Sequence, residues 1–273
     1  MRLLRYRVNM QSPPVWGWVD GNRIGRLEGD PFREYRRLEA DTALESVEIL
    51  APLHPSKIVC VGRNYAAHAE EHGAEVPELP LLFLKPPSSV IGPGEPILLP
   101  PQSNRVEHEA ELAVVIGREA RWVSPGQSAD VILGFTIAND VTARDLQNLD
   151  GQWTRAKGFD TFCPHGPWIE TELDSADVVV TCSVNGQLRQ MASTRDLTFP
   201  VPQLIAFISS VMTLRPGDLV LTGTPAGVGP LVDGDEVSIE IEGVGTLTNP
   251  VHADRTAAEA ADRAGDTQRR RRG

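Results

Sequence analysis

Apolar and polar residues alternate along most of this chain, and few stretches carry the three-to-four-residue spacing of a helix. "LLRYRV" and "PVWGWVDGNRIGRL" predict short strands, the second folded back on itself at Asp20-Gly21. "APLHPSK" (51–57), with two prolines, reads as a linker. "IVCVG" is a buried strand that leads through a turn at Gly62-Arg63 into a short helix, with Asn64 as N-cap and Gly73 just past its end. "DVILGFTIANDVTARD" reads as an apolar strand running into a polar turn, and "DVVVTCSVNGQLRQM" as a hairpin about Asn185-Gly186. Helical periodicity is clear in 200–214, where Leu204, Ile205, Ile208 and Val211 share a face. The pattern predicts a mixed, β-rich α+β fold with few short helices. Residues 1–50 form a small N-terminal β module, 51–252 the main domain and 253–273 a disordered tail.

Composition narrows the function. The 24 Gly and 22 Pro agree with many turns, and the net charge of -11 disfavours nucleic acid and anionic membrane as partners. The terminal "QRRRRG" is read as a solvated end rather than a nucleic-acid contact, because the rest of the chain is more acidic still. Cys60, Cys163 and Cys182 have no paired spacing, no apolar run reaches membrane-spanning length, and the expected location is the cytoplasm.

One segment breaks the strand pattern. "RVEHEAELAVVIG" puts Glu107, Glu109 and Glu111 on one face of a strand whose other face is apolar. An exposed polar face is the plain explanation. However, the same face runs on as Ala113 and Val115, and Asp140 ends an apolar strand further along. Converging carboxylates suit a hard divalent cation, Mg²⁺, Mn²⁺ or Ca²⁺, better than Zn²⁺. His68 and Glu71 share a helical face, so the carboxylate can orient the imidazole for work as a base; such pairs are also common on surface helices. "TGTPAGVG" lacks a P-loop ending, so it is either a sharp turn or an anion grip through backbone N–H groups and the Thr224 hydroxyl.

Seven blocks occur in one order: "VGRNYAAHAEE", "FLKP", "VEHEAELAVVIG", "NDVTARDLQ", "WTRAKGFDTFCPHGPWI", "VNGQLRQ" and "LTGTPAGVG". In this order they resemble the fumarylacetoacetate hydrolase family over roughly residues 55–250. The resemblance implies a β-roll or sandwich, a homodimer, and Mg²⁺ (or Mn²⁺ or Ca²⁺) on Glu109, Glu111 and Asp140. It also implies catalysis by His68, Glu71 and Lys157, and substrate binding by Arg144, Gln147 and Thr224; Glu107 falls outside its pattern. The expected substrate is a small 2-oxo acid. The expected reaction is C–C hydrolysis of an acylpyruvate or fumarylpyruvate. The alternatives are isomerisation or decarboxylation of the 2-hydroxyhepta-2,4-diene-1,7-dioate type, oxaloacetate tautomerisation or decarboxylation, and a non-enzymatic β-roll that binds metal for stability.

Overall fold

In the computed structural model, residues 1–71 and 73–256 are described; most of the expected tail, 257–273, lies outside them. The first strands are β1 (Arg2–Arg7), β2 (Val15–Asp20), β3 (Arg23–Gly29), β4 (Tyr35–Ala43) and β5 (Glu48–Leu50). Then come β6 (Ile58–Gly62), β7 (Leu81–Lys85), β8 (Val90–Ile91), β9 (Ile97–Leu99), β10 (Val106–His108) and β11 (Ala110–Ile116). The remainder are β12 (Ile132–Asn139), β13 (Thr142–Ala143), β14 (Cys163–Glu170), β15 (Val179–Val184), β16 (Gln187–Ser193), β17 (Leu219–Leu221), β18 (Gly229–Pro230), β19 (Glu236–Ile241) and β20 (Gly245–Ala253). The helices are short: α1 (Ala66–Glu71), α2 (Ser128–Val131), α3 (Arg144–Asp150), α4 (Thr154–Lys157) and α5 (Val201–Val211). None is long and apolar enough to cross a membrane.

A 12-stranded sheet runs in the order β4-β3-β2-β1-β14-β12-β11-β17-β6-β7, with β5 on β1 and β8 on β14. The N-terminal strands therefore do not form a separate sheet: β1 pairs with β14 and continues the main one. The N-terminal amine of Met1 reinforces that seam, 2.6 Å from Glu170 Oε1. A second sheet, β16-β15-β19-β20-β9, packs its apolar residues (Val180, Ile239, Leu247, Val251) with Leu112, Val114 and Ile137 of the main sheet in one core cluster. The other face of the main sheet carries a second cluster with Ala113, Val115, Cys60, Ala138 and Leu221. Strand β11, flanked by β12 and β17, is thus buried on both faces.

The Asn185-Gly186 hairpin follows the expected turn chemistry, whereas the first hairpin turns one residue later than expected, at Gly21-Asn22, because Asp20 ends β2 and pairs with Arg23. Asn185 and Gly186 have φ of 52° and 74°, the left-handed pair that matches strand twist. Helix α5 buries Leu204, Ile205 and Ile208, whereas Val211, the last helical residue, is exposed beyond the edge of the core. Asn64 departs from its expected capping role. Its side chain instead bridges two distant segments, donating to Phe199 O and Thr222 O and accepting from Phe199 N.

Asp218 fixes β17 against the start of β6. Its fully buried carboxylate accepts from Ser56 Oγ, Lys57 N and Nζ, and Arg215 N. Removing it leaves several donors unmet. Asp218→Ala is expected to cost about 3 kcal/mol in chemical denaturation. A loss under about 1 kcal/mol would put this anchor on the level of a surface ion pair.

Candidate active site

The glutamate segment is not one continuous strand. β10 pairs with β13 and β18 in a small sheet, while β11 enters the main sheet, and Glu109 lies at the break between them. The break is stitched by Asp140 N donating to Glu109 O (2.9 Å) and by Glu109 N donating to Asn139 Oδ1 (2.9 Å). Because Ala110 is paired with Asn139, the residue after β12, Asp140, is set opposite Glu109. Carboxylate oxygens of Glu109, Glu111 and Asp140 lie within 4.8 Å of one another, and all three residues are buried.

These charges are compensated by side chains from other elements. Lys157, at the end of α4, donates to Glu109 Oε2 (2.8 Å) and Asp140 Oδ2 (2.7 Å). Lys85, at the end of β7, donates to Asp140 Oδ1 (2.6 Å) and Val141 O (3.0 Å). Arg144, at the start of α3, binds Glu107 through Nε, Glu109 through Nη2 and Gln147 Oε1 through Nη1. Glu107 is also held by Arg105 Nε at 2.6 Å. Glu111 differs: its carboxylate accepts from the backbone N–H of Gly223, at 2.6 Å. That approach needs glycine, since φ is +103° and a Cβ would stand 2.7 Å from Asn64 Cβ.

Four buried carboxylates (Glu107, Glu109, Glu111, Asp140) thus face three buried cations (Lys85, Lys157, Arg144), leaving one negative charge over. Glu111 carries it. Burial, with Asp140 and Glu109 nearby, pushes its proton affinity well above the ordinary carboxylate range, against the pull of Lys157 and Gly223 N–H. Burial acts the same way on Glu109, but Lys157, Arg144 and His68 outweigh it and hold this carboxyl well below its usual value. Burial also opposes charge on Lys157, and Asp140 and Glu109 overcome it, so the ammonium is raised and stays protonated. A close all-oxygen donor set with one surplus negative charge fits a hard divalent cation.

A cavity of about 540 Å³ opens onto this cluster. His68, Glu71, Lys157, Arg144, Gln147, Thr224, Glu109, Glu111 and Asp140, all named from the sequence, line its wall. His68 Nδ1 stands 3.5 Å from Glu71 Oε2, and both Glu71 oxygens accept from Gly227 N at 3.2 Å. Burial, helped by Arg144, draws the imidazole below its ordinary value of 6.5, with Glu109 and Glu71 opposing. Thr224 Oγ1 accepts from Gln190 Nε2 (2.8 Å), whose Oε1 takes Ala110 N (3.1 Å). Gln190 therefore ties the loop after β17 to the start of β11.

Three contributors were not assigned roles from sequence. Lys85 is fully buried, and the available signal was a single charge closing the apolar run "LPLLFLKPP". Glu107 lies outside the family pattern yet is fully buried, anchoring Arg144 rather than facing solvent. Gln190 gives no local signal, because its partners are distant in sequence.

Comparison with known proteins agrees with this geometry. Residues 57–252 match the model of the fumarylacetoacetate (FAA) hydrolase C-terminal domain. The chain belongs to the fumarylacetoacetate hydrolase family. Residues 1–52 match a separate model, Rv2993c-like, N-terminal. Protein Rv2993c of Mycobacterium tuberculosis is 56% identical over 76% of this chain and 80% of its own length. The mitochondrial oxaloacetate tautomerase Fahd2a of Rattus norvegicus is 44% identical over 75% of this chain and 69% of its own. The crystal structure of 5-carboxymethyl-2-hydroxymuconate delta-isomerase from Mycobacterium smegmatis is 47% identical, with a TM-score of 0.85 over 93% of this chain and 100% of that one. Maleylpyruvate hydrolase from Sphingobium, solved with manganese(II) and pyruvate, is 35% identical, with a TM-score of 0.75 over 93% of this chain and 99% of that one. The family's enzymes include isomerases, tautomerases and hydrolases.

The surplus charge generates a prediction with a defined sign. Because Glu111 binds its proton more tightly folded than unfolded, the metal-free protein loses stability as pH rises above the ordinary carboxylate value of 4.5. Glu111→Gln removes that loss. In the presence of chelator at pH 7 it is expected to raise the melting temperature by roughly 2–4 °C per kcal/mol recovered. The same variant is expected to lose the stabilisation that Mg²⁺ or Mn²⁺ gives the wild type. A variant less stable than wild type in chelator, or one that divalent ions still stabilise fully, would contradict the charge assignment.

Proposed function

We propose that the chain is a divalent-metal-dependent enzyme that moves a proton between the enol and keto forms of a 2-oxo acid, as a tautomerase or isomerase. The observation that carries this reading is a buried, neutral imidazole on the same cavity wall as a three-carboxylate cluster and a lysine that stays charged. Mg²⁺ or Mn²⁺ on Glu109, Glu111 and Asp140 would supply Lewis acidity toward the carboxylate and keto oxygens of the substrate.

The protein's own side chains account for the rest. In ketonisation His68 Nε2 takes the proton from the enol oxygen and delivers it to the adjacent carbon, so that an O–H bond breaks as a C–H bond forms, and enolisation is the reverse. Glu71, braced by Gly227 N–H, keeps Nδ1 oriented. The Lys157 ammonium is too tightly held by two carboxylates to serve as a base, so it acts as a fixed positive charge beside the developing enolate. Arg144, Gln147 and Thr224 frame the wall against which the substrate lies. The chain's similarity to an oxaloacetate tautomerase and to a muconate isomerase supports this choice.

The second reading is C–C hydrolysis, and the His68–Glu71 pair is what favours it, because attack by water needs an oriented base. At 3.5 Å, with Glu71 shared by Gly227, the pair is looser than a strong charge-assisted bond, so proton transfer stands first.

His68→Ala is expected to slow ketonisation of enol-oxaloacetate by ~10²-fold or more. In the wild type, kcat/KM is expected to hold as pH falls to the ordinary imidazole value of 6.5 and to drop only below it, because burial favours the neutral ring. Release of pyruvate from acetylpyruvate faster than ketonisation of any enol would put hydrolysis first.

A further inference from the structure

Each buried cation of the cavity has a carboxylate partner, and Arg105, at its rim, is bound through Nε to Glu107. Arg63 also lines the cavity, and among the described residues it has no carboxylate partner. It is exposed, and its backbone sits at φ 57°, in the left-handed region that non-glycine residues rarely occupy. Such a conformation persists where neighbours enforce it, and here both do. Gly62 lies so close to Trp153 that a Cβ would be 2.7 Å from the ring. Asn64 is clamped by three hydrogen bonds to Phe199 and Thr222. A loop-borne arginine would ordinarily be free to wander; this one is mounted on a rigid, strained turn at a pocket wall.

The charge count says what it faces. With a divalent cation bound, the buried groups change from one negative to one positive charge, which the single carboxylate of a 2-oxo acid neutralises. A second carboxylate on the substrate meets two exposed arginines of the cavity, of which Arg105 is held by Glu107 and Arg63 is left to bind it. We infer that Arg63 is a specificity residue that binds the distal carboxylate of a 2-oxo dicarboxylic acid. This rests on the 2-oxo acid reading above and narrows it to diacids.

The test is calorimetric binding to full-length protein loaded with Mg²⁺, using pyruvate and the diacids 2-oxoglutarate and 2-oxoadipate. Wild type is expected to bind at least one diacid more tightly than pyruvate. Arg63→Gln is expected to reduce the ratio of diacid to pyruvate affinity by roughly 10- to 100-fold, the scale of a lost charge-assisted pair. Arg63→Gly serves as the second variant, because glycine relieves the positive φ and so preserves the turn, and it is expected to lose the same preference. Arg63→Lys is expected to recover part of it. A wild type without preference for either diacid, or variants that weaken pyruvate and diacid equally, would overturn the inference. Failure of pyruvate to bind the loaded wild type would instead sink the 2-oxo acid reading itself, and this inference with it.

Discussion

Packing several carboxylates into a dry interior is the constraint to which the rest of this structure answers. Glu107, Glu109, Glu111 and Asp140 are almost wholly removed from water, where an unpaired carboxylate is strongly disfavoured. Each demands a cation or a donor, and no single element carries enough of them. The protein meets the demand from four directions: Lys85 from β7, Lys157 from α4, Arg144 from α3 and the Gly223 N–H from the loop after β17. Since these partners are spread from residue 85 to residue 223, the folded sheet must exist before the charges can be balanced.

That requirement explains the irregular features at the site. An unbroken strand through 106–116 would leave Glu109 within a regular ladder; the break lets β10 join a different sheet and brings Glu109 against Asp140. Asn64 gives up capping α1 and instead holds the Thr222 and Phe199 backbones, which fixes the approach of Gly223 to Glu111. Gln190 plays the same part on the other side, joining β16 to Ala110 N and Thr224. These polar groups have little to do with secondary structure. They set the distances in a cluster that tolerates little error.

The fold was legible where the information is local. Turn chemistry at Asn185-Gly186 and the apolar stripe of α5 depend on neighbours in sequence, and both can be read without a structure. So could the positions of Glu109, Glu111, Asp140 and His68, because ordered motif blocks carry them. Joining the N-terminal strands to the main sheet could not be foreseen, since the β1–β14 pairing spans almost the whole distance from Leu3 to Ile169. Lys85 and Gln190 were passed over for the same reason. Nothing beside Lys85 in sequence shows that Asp140 waits for it, and a lysine closing a strand ordinarily points to water.

The balance of charge also bears on why one architecture serves enzymes with different reaction names. Most of the buried groups act electrostatically: they bring three carboxylates together, keep Lys157 protonated and leave one surplus negative charge, which a divalent cation would turn into a positive one that favours an anion. Stabilising an enolate needs no more than that, and tautomerisation, isomerisation and C–C cleavage to a 2-oxo acid all pass through such a species. On the reading proposed above, what separates them is the proton or water traffic at His68 and Glu71 and the shape of the rest of the cavity wall, which here carries Arg63, Phe83 and Trp153. Apart from Glu111, which carries the imbalance, the buried cluster is locked by mutual compensation, so a change there costs stability. The wall residues carry no such burden. A new substrate therefore calls for changes around Arg63 and Trp153 rather than among the carboxylates, and the strained turn at residue 63 is the point where the two regions meet.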